Sequence, residues 1–122
     1  MSEDITNAVI GCAIEVHKRL GPGLLERVYQ ECLGIEFIEK SIEFEAEKQV
    51  TIRYRDNEIE SAFRIDFLVE NACIVELKAV ECILPVHEAQ ILTYMKLTGI
   101  KYGLLLNFNV PLLKDGVKRF VY

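Results

Sequence analysis

Apolar side chains recur at helical spacing at the start of the chain: Ile5, Val9, Cys12, Val16 and Leu20, with Ala8 and Ala13 beside them. Steps of three and four put them on one face, so residues 4–20 read as an amphipathic helix ended by Gly21-Pro22-Gly23. A second helix is expected over residues 24–40. In it Leu25, Val28, Cys32, Ile35 and Ile38 turn inward and Glu31, Glu36 and Glu39 outward. The two helices should pack as a hairpin or bent pair.

From Phe44 the period changes to two. Val50, Ile52 and Tyr54 alternate with Thr51, Arg53 and Arg55, and Asp56-Asn57-Glu58 reads as a turn into a strand over residues 59–69. Two further runs, around Glu76 and over residues 102–107, are apolar enough for buried strands. Between them a helical pattern starts at Pro85, runs to Leu97 and is closed by Thr98-Gly99. A last short strand is expected at residues 117–121. The order is helix, helix, three strands in a meander, helix, strand, strand, with no internal repeat, low-complexity segment or linker.

Within this apolar pattern Arg64-Ile65-Asp66-Phe67-Leu68 and Ile74-Val75-Glu76-Leu77-Lys78 carry charges. A charge taken out of water costs several kcal/mol unless a cation, a substrate or another charge compensates it. Whether these groups meet depends on the turn. A three-residue loop, Glu70-Asn71-Ala72, pairs Val69 with Cys73, Phe67 with Val75, Ile65 with Leu77 and Phe63 with Ala79, giving one continuous apolar face. The other face then sets Asp66 opposite Glu76, Arg64 opposite Lys78 and Leu68 opposite Ile74. A two-residue loop would send the carboxylates to opposite faces. The longer loop is favoured, with Asn71 able to take a left-handed conformation.

Two ionised carboxylates directly opposed on a sheet repel by about 3 kcal/mol at an effective dielectric near 20. A divalent cation turns that repulsion into attraction. Magnesium fits best, because it accepts one or two carboxylates and completes its shell with water and phosphate oxygens. Lys78, two residues past Glu76, shares its face and could orient a water or stabilise charge on a phosphoryl oxygen. The competing account is a solvated ribbon face whose charges balance one another. Leu68, Ile74 and Val80 make that face partly apolar, as expected of a covered cleft.

His87, Gln90 and Tyr94 share one face of the later helix, beside the apolar Ile91, Leu92 and Met95, and could line such a cleft. Glu26 and Tyr29 share a face at the start of the second helix, where a glutamate is favoured by the helix dipole alone.

With 122 residues the chain suits one compact domain, and 51% hydrophobic residues leave room for a surface through which two copies associate as a homodimer. No stretch approaches a membrane span, and the opening Met1-Ser2-Glu3-Asp4 lacks a basic and apolar leader, so a cytoplasmic location is expected. Cys12, Cys32, Cys73 and Cys82 show no CxxC pairing and suit reduced core thiols; Cys82 with His87 is a weaker two-ligand alternative. The net charge of −5 argues against broad coating of nucleic acid but leaves room for a local basic groove. Candidates for it are His17, Lys18, Arg19, Arg53, Arg55, Arg64, Lys114, Lys118 and Arg119, each of which is also ordinary solvated surface.

Gly23-Leu24-Leu25-Glu26-Arg27-Val28-Tyr29 resembles the motif that names the GxxExxY protein family, within the PD-(D/E)xK nuclease-like superfamily. The resemblance spans nearly the whole chain. It is supported by Val16-His17, Leu20-Gly21-Pro22-Gly23, Arg64-Ile65-Asp66, Glu76-Leu77-Lys78, and by Gln90 with Tyr94, which resemble the QxxxY element of RecB-like nucleases. The resemblance implies an α/β, restriction-endonuclease-like core: a mixed sheet of about four to five strands, with a central antiparallel meander flanked by helices. It also implies Asp66 and Glu76 as metal ligands, Lys78 as the catalytic lysine and Glu26 as a helix-borne acid of the same metal site. Gln90, Tyr94, Tyr29 and His17 would help position substrate. Ile65 stands where the motif has proline, a position that shapes the strand more than it performs chemistry.

The activity implied is magnesium-dependent hydrolysis of DNA phosphodiester bonds, with manganese as a substitute metal. Two other readings stand beside it. One is a nuclease-like binding or assembly module without turnover. The other is a metal-dependent phosphoesterase acting on nucleotides.

Overall fold

The computed structural model describes the backbone of residues 2–122 and the side chains from residue 4 onward. Helix α1, Ser2–Leu20, starts slightly before the expected boundary. It buries Val9, Cys12, Ala13 and Val16, a three-and-four stripe. The chain leaves it at Gly21, whose N–H donates to the His17 carbonyl at 2.7 Å and whose φ of 69° suits glycine.

Helix α2, Glu26–Glu39, buries Tyr29, Leu33 and Phe37. This corrects the expected inward stripe, since Leu25, Ile35 and Ile38 are exposed. Apolar residues occupy more than one face of this helix, and the face that wins is the one whose aromatic rings find partners. Tyr29 stacks on Phe108 with centroids 4.6 Å apart, and Phe37 meets Phe67 edge to face at 5.2 Å.

Strands β1 (Phe44–Tyr54), β2 (Asn57–Val69) and β3 (Cys73–Lys78) form the expected meander. Helix α3 (Pro85–Thr98) then leads to β4 (Tyr102–Asn107), a short 3-10 turn at Leu113–Gly116 precedes β5 (Val117–Val121), and the sheet order is β1-β2-β3-β4-β5. Among the described strands only β3 and β4 pair in parallel, with α3 as their crossover. Gly99 closes α3 in the left-handed conformation at φ 77°. The first turn differs from expectation. Tyr54 pairs with Asn57, so the loop is Arg55-Asp56, and Asn57 and Glu58 already belong to the ladder.

The helices divide the core in two. On one face of the sheet α1 and α2 pack against Phe67, Val69, Val75, Leu77, Leu104 and Leu106. On the other, Ile91 and Met95 of α3 pack against Leu68, Ile74 and Leu105. Gly103 lies under α3, where a Cβ would sit 2.7 Å from Met95 Sδ, so the helix approaches β4 only because that side chain is missing.

The β2–β3 hairpin has the register expected of a three-residue loop: Val69↔Cys73, Leu68↔Ile74 and Phe67↔Val75. Ala72 N–H donates to the Val69 carbonyl at 2.9 Å, and Glu70 and Asn71 take φ of 53° and 54°. Regular pairing ends at Phe67↔Val75, and the expected continuous apolar face is not formed. Phe63 and Ile65 join the α3 side of the core instead of lying beside Phe67. The change falls where β2 faces Glu47, which has a left-handed φ of 53°, and where β2 parts from β3. Beyond that fork β1 and β2 continue as a two-stranded arm whose residues 57–62 are all exposed. No described helix is long and apolar enough to cross a membrane.

Candidate active site

The fork between β2 and β3 is where the sheet acids lie. Asp66 N–H donates to Glu76 Oε2 at 2.8 Å, and Leu77 N–H donates to Asp66 Oδ2 at 2.9 Å. Each carboxylate therefore takes the place of a ladder carbonyl on the diverging strand, satisfying a backbone donor that would otherwise be orphaned. Only 8% of Asp66 and 6% of Glu76 is exposed. One oxygen of each acid is committed to the backbone, leaving the second for a ligand.

A cleft of about 600 Å³ opens over the pair. Glu26 enters it from the first turn of α2, Lys78 from the end of β3, Gln90 and Tyr94 from α3, and Gln49, Ser61, Phe63 and Arg64 from the root of the arm. The residues brought together thus include Asp66, Glu76, Lys78, Glu26, Gln90 and Tyr94. Lys78 is held from behind: its carbonyl accepts from Phe108 N–H at 2.9 Å. Two residues on, Val80 is clamped by Asn107, whose Oδ1 accepts from Val80 N–H at 3.1 Å and whose Nδ2 donates to the Val80 carbonyl at 2.9 Å.

Burial, then the neighbouring Asp66 charge, pushes Glu76 up to about 8. Burial also raises Asp66, against the pull of the Leu77 N–H and of Lys78. Glu26 is raised by burial, with Lys78 opposing and Asp66 reinforcing the shift. Tyr94 is raised by burial and by the charges of Glu76 and Asp66. Both shifts favour a protonated carboxyl in the pair.

Among the described residues no group of three or more His, Cys, Asp or Glu side chains is gathered closely enough to hold a metal ion. The expected three-acid set of Asp66, Glu76 and Glu26 is therefore not a closed cage. Two free carboxylate oxygens fit a hard cation that takes its other ligands from water and phosphate, as magnesium does.

Two expected positioning residues, Tyr29 and His17, and His87, expected to line the cleft, lie elsewhere. Tyr29 is fully buried beneath the Gly-Pro-Gly turn, donating to the Gly21 carbonyl at 2.6 Å and accepting from Leu24 N–H at 3.1 Å. Its hydroxyl, not a capping side chain, ties down the start of α2, and so it fixes where Glu26 enters the cleft. His17 bonds the Val110 carbonyl through Nε2 at 2.7 Å, in a hollow shared with Lys18 and Lys114. His87 caps α3, its Nδ1 accepting from Leu84 N–H at 3.0 Å. Of the expected basic groove, Arg64 alone lines the acid cleft. Arg19, Arg53 and Lys118 are paired with Glu15, Glu58 and Glu88. Cys82 is exposed and free, apart from any ligand cluster.

Gln49, Ser61 and Phe63 are cleft residues that the sequence pattern assigned to no site. Strand alternation predicts Phe63 on the apolar face, and only the fork turns it into the cleft.

A family model described as the PD-(D/E)XK nuclease superfamily matches residues 3–120. No curated protein and no solved structure matches the chain.

Proposed function

Because this chain belongs to the PD-(D/E)XK nuclease superfamily, we propose that it is a magnesium-dependent nuclease that hydrolyses DNA phosphodiester bonds at the fork between β2 and β3. Its mixed five-stranded sheet flanked by three helices is consistent with the restriction-endonuclease-like fold of that superfamily. The observation that carries the reading is the nearly buried Asp66 and Glu76 pair, each with one uncommitted oxygen, sharing a cleft with Lys78.

Asp66 and Glu76 would hold the cation, with manganese able to replace magnesium, and Glu26 would hold its water shell. The ion, when bound, supplies Lewis acidity at the phosphate and lowers the pKa of a coordinated water. Lys78 orients the attacking water and donates to a non-bridging phosphate oxygen as charge builds there. Gln90 and Tyr94 hydrogen-bond the phosphate or the water from the α3 wall. Within the superfamily we place the chain in the GxxExxY group. Gly23 takes a φ of 101°, Glu26 lines the cleft and Tyr29 bonds the turn, so each residue of that motif has a separate task.

Four free cysteines, with Cys73 pushed by burial up to about 12, fit a reducing cytoplasmic setting. The same hydrogen bonds support a second reading, a nuclease-like module in which the acids serve only to latch the fork. The test is cleavage of single-stranded, duplex and branched DNA in magnesium, beside calorimetric titration of the metal into wild type and Asp66→Ala. Metal-dependent cleavage lost in Lys78→Ala supports the nuclease; metal binding with no cleavage of any substrate supports the module.

A further inference from the structure

One wall of the cleft is aromatic. The rings of Phe63, at the root of the arm, and Tyr94, on α3, are stacked with centroids 4.2 Å apart and planes 6° from parallel. Both residues are half-buried and both line the cleft with Asp66, Glu76 and Lys78. Arg64, next to Phe63, has its side chain about half exposed, in a 3.9 Å ion pair with Glu47. A nucleotide has the complementary pair of surfaces: an anionic phosphate for Lys78 and Arg64, and a flat base for an aromatic face.

Resting on the nuclease reading above, we propose that this cleft takes single-stranded DNA, with Phe63, backed by Tyr94, stacking on an unpaired base next to the scissile phosphate. A duplex keeps its base faces against one another and offers only base edges in its grooves, so an aromatic side chain gains nothing from it unless a base is unstacked at a cost of a few kcal/mol. An unpaired strand presents its base faces freely, and stacking on aromatic rings binds it with little regard to sequence. The acids point the same way. They are more than nine-tenths buried, so the reacting phosphate must enter the fork, which a flexible strand does more readily than a stiff rod.

The test measures binding of the full chain in calcium, with a short single-stranded oligonucleotide carrying 2-aminopurine and with the blunt duplex of the same sequence. Single strands should bind at least about tenfold more tightly than duplex, with quenched 2-aminopurine fluorescence. Phe63→Leu should weaken single-strand binding by about 5- to 100-fold and abolish the quenching, leaving duplex binding unchanged, with both proteins compared at a temperature where circular dichroism shows them fully folded, since the ring also packs on Tyr94. Phe63→Tyr should restore both. Equal or tighter duplex binding overturns the proposal, as does a Phe63→Leu loss that is the same for both substrates. The two readings fail separately. Absence of cleavage in magnesium defeats the nuclease and leaves the binding result standing, whereas cleavage confined to duplex and indifferent to Phe63→Leu defeats the stacking alone.

Discussion

The Glu76 carboxylate accepts a hydrogen bond from the backbone N–H of Asp66 at 2.8 Å, so the two acids of the site are tied across the fork through the main chain. Asp66 returns the arrangement by accepting from Leu77 N–H at 2.9 Å. Repulsion between the carboxylates is thus set against two hydrogen bonds that hold them in place, and protonation or a cation is needed to relieve it.

That balance predicts a pH-dependent stability. Glu76 is raised from the usual glutamate value of 4.5 to about 8, so between those values the folded chain binds more protons than the unfolded one and stability falls as pH rises. Denaturant titration without divalent ions should show wild type losing stability from pH 5 to pH 9. Glu76→Gln should flatten that slope and be the more stable protein at pH 9. Magnesium should recover stability at pH 9 in wild type and not in the variant.

Lys78→Ala should fold normally, because its backbone anchors, the Phe108 N–H bond and the Asn107 clamp beyond it, use no part of the ammonium. Its cleavage rate should fall by about 10²- to 10³-fold, the usual loss when one donor to a developing oxyanion is removed. Single-turnover kinetics with unchanged metal affinity checks this.

Tyr29→Phe removes a hydroxyl that serves two backbone groups, the Gly21 carbonyl and the Leu24 N–H, in a fully buried position. Leaving them unpaired should cost about 1–3 kcal/mol in urea denaturation. Activity should fall by more than the loss of folded protein explains, since Glu26 is carried on the helix that this hydroxyl anchors.

Asn107→Leu matches the residue's size but leaves Val80 N–H and C=O and Asn109 N–H without their side-chain partner. Urea denaturation should show a loss of about 3 kcal/mol, three net hydrogen bonds with desolvated backbone groups left behind. Hydrogen exchange should speed up in residues 79–84 before it does in β4.

The elements were largely legible because their signals are local. Helical spacing marked α1, Gly99 marked the end of α3, and a period of two with a three-residue loop gave the β2–β3 register down to Phe67↔Val75. That register also predicts Asp66 directly opposite Glu76, but the ladder ends one pair short of them; the two acids line one cleft and are tied through backbone N–H groups instead. The spacing on α3 likewise brought Gln90 and Tyr94 together.

Other features depend on partners distant in the chain. Which face of α2 goes inward was settled by Phe108 and Phe67, far beyond its own sequence, so Tyr29, Leu33 and Phe37 displaced Ile35 and Ile38. The same packing turned Tyr29 from a cleft residue into an anchor for Glu26, and a backbone carbonyl 93 residues away drew His17 out of the site. The fork is of this kind as well. Alternation along β2 predicts a continuous face, but strand divergence ends the pairing, turns Phe63 toward Tyr94 and lets the carboxylates replace ladder carbonyls. Periodicity encodes which residues share a side of one element, because backbone geometry repeats over a few residues. Where two elements part, and what fills the gap, follows from competition among long-range contacts that no short window of sequence contains.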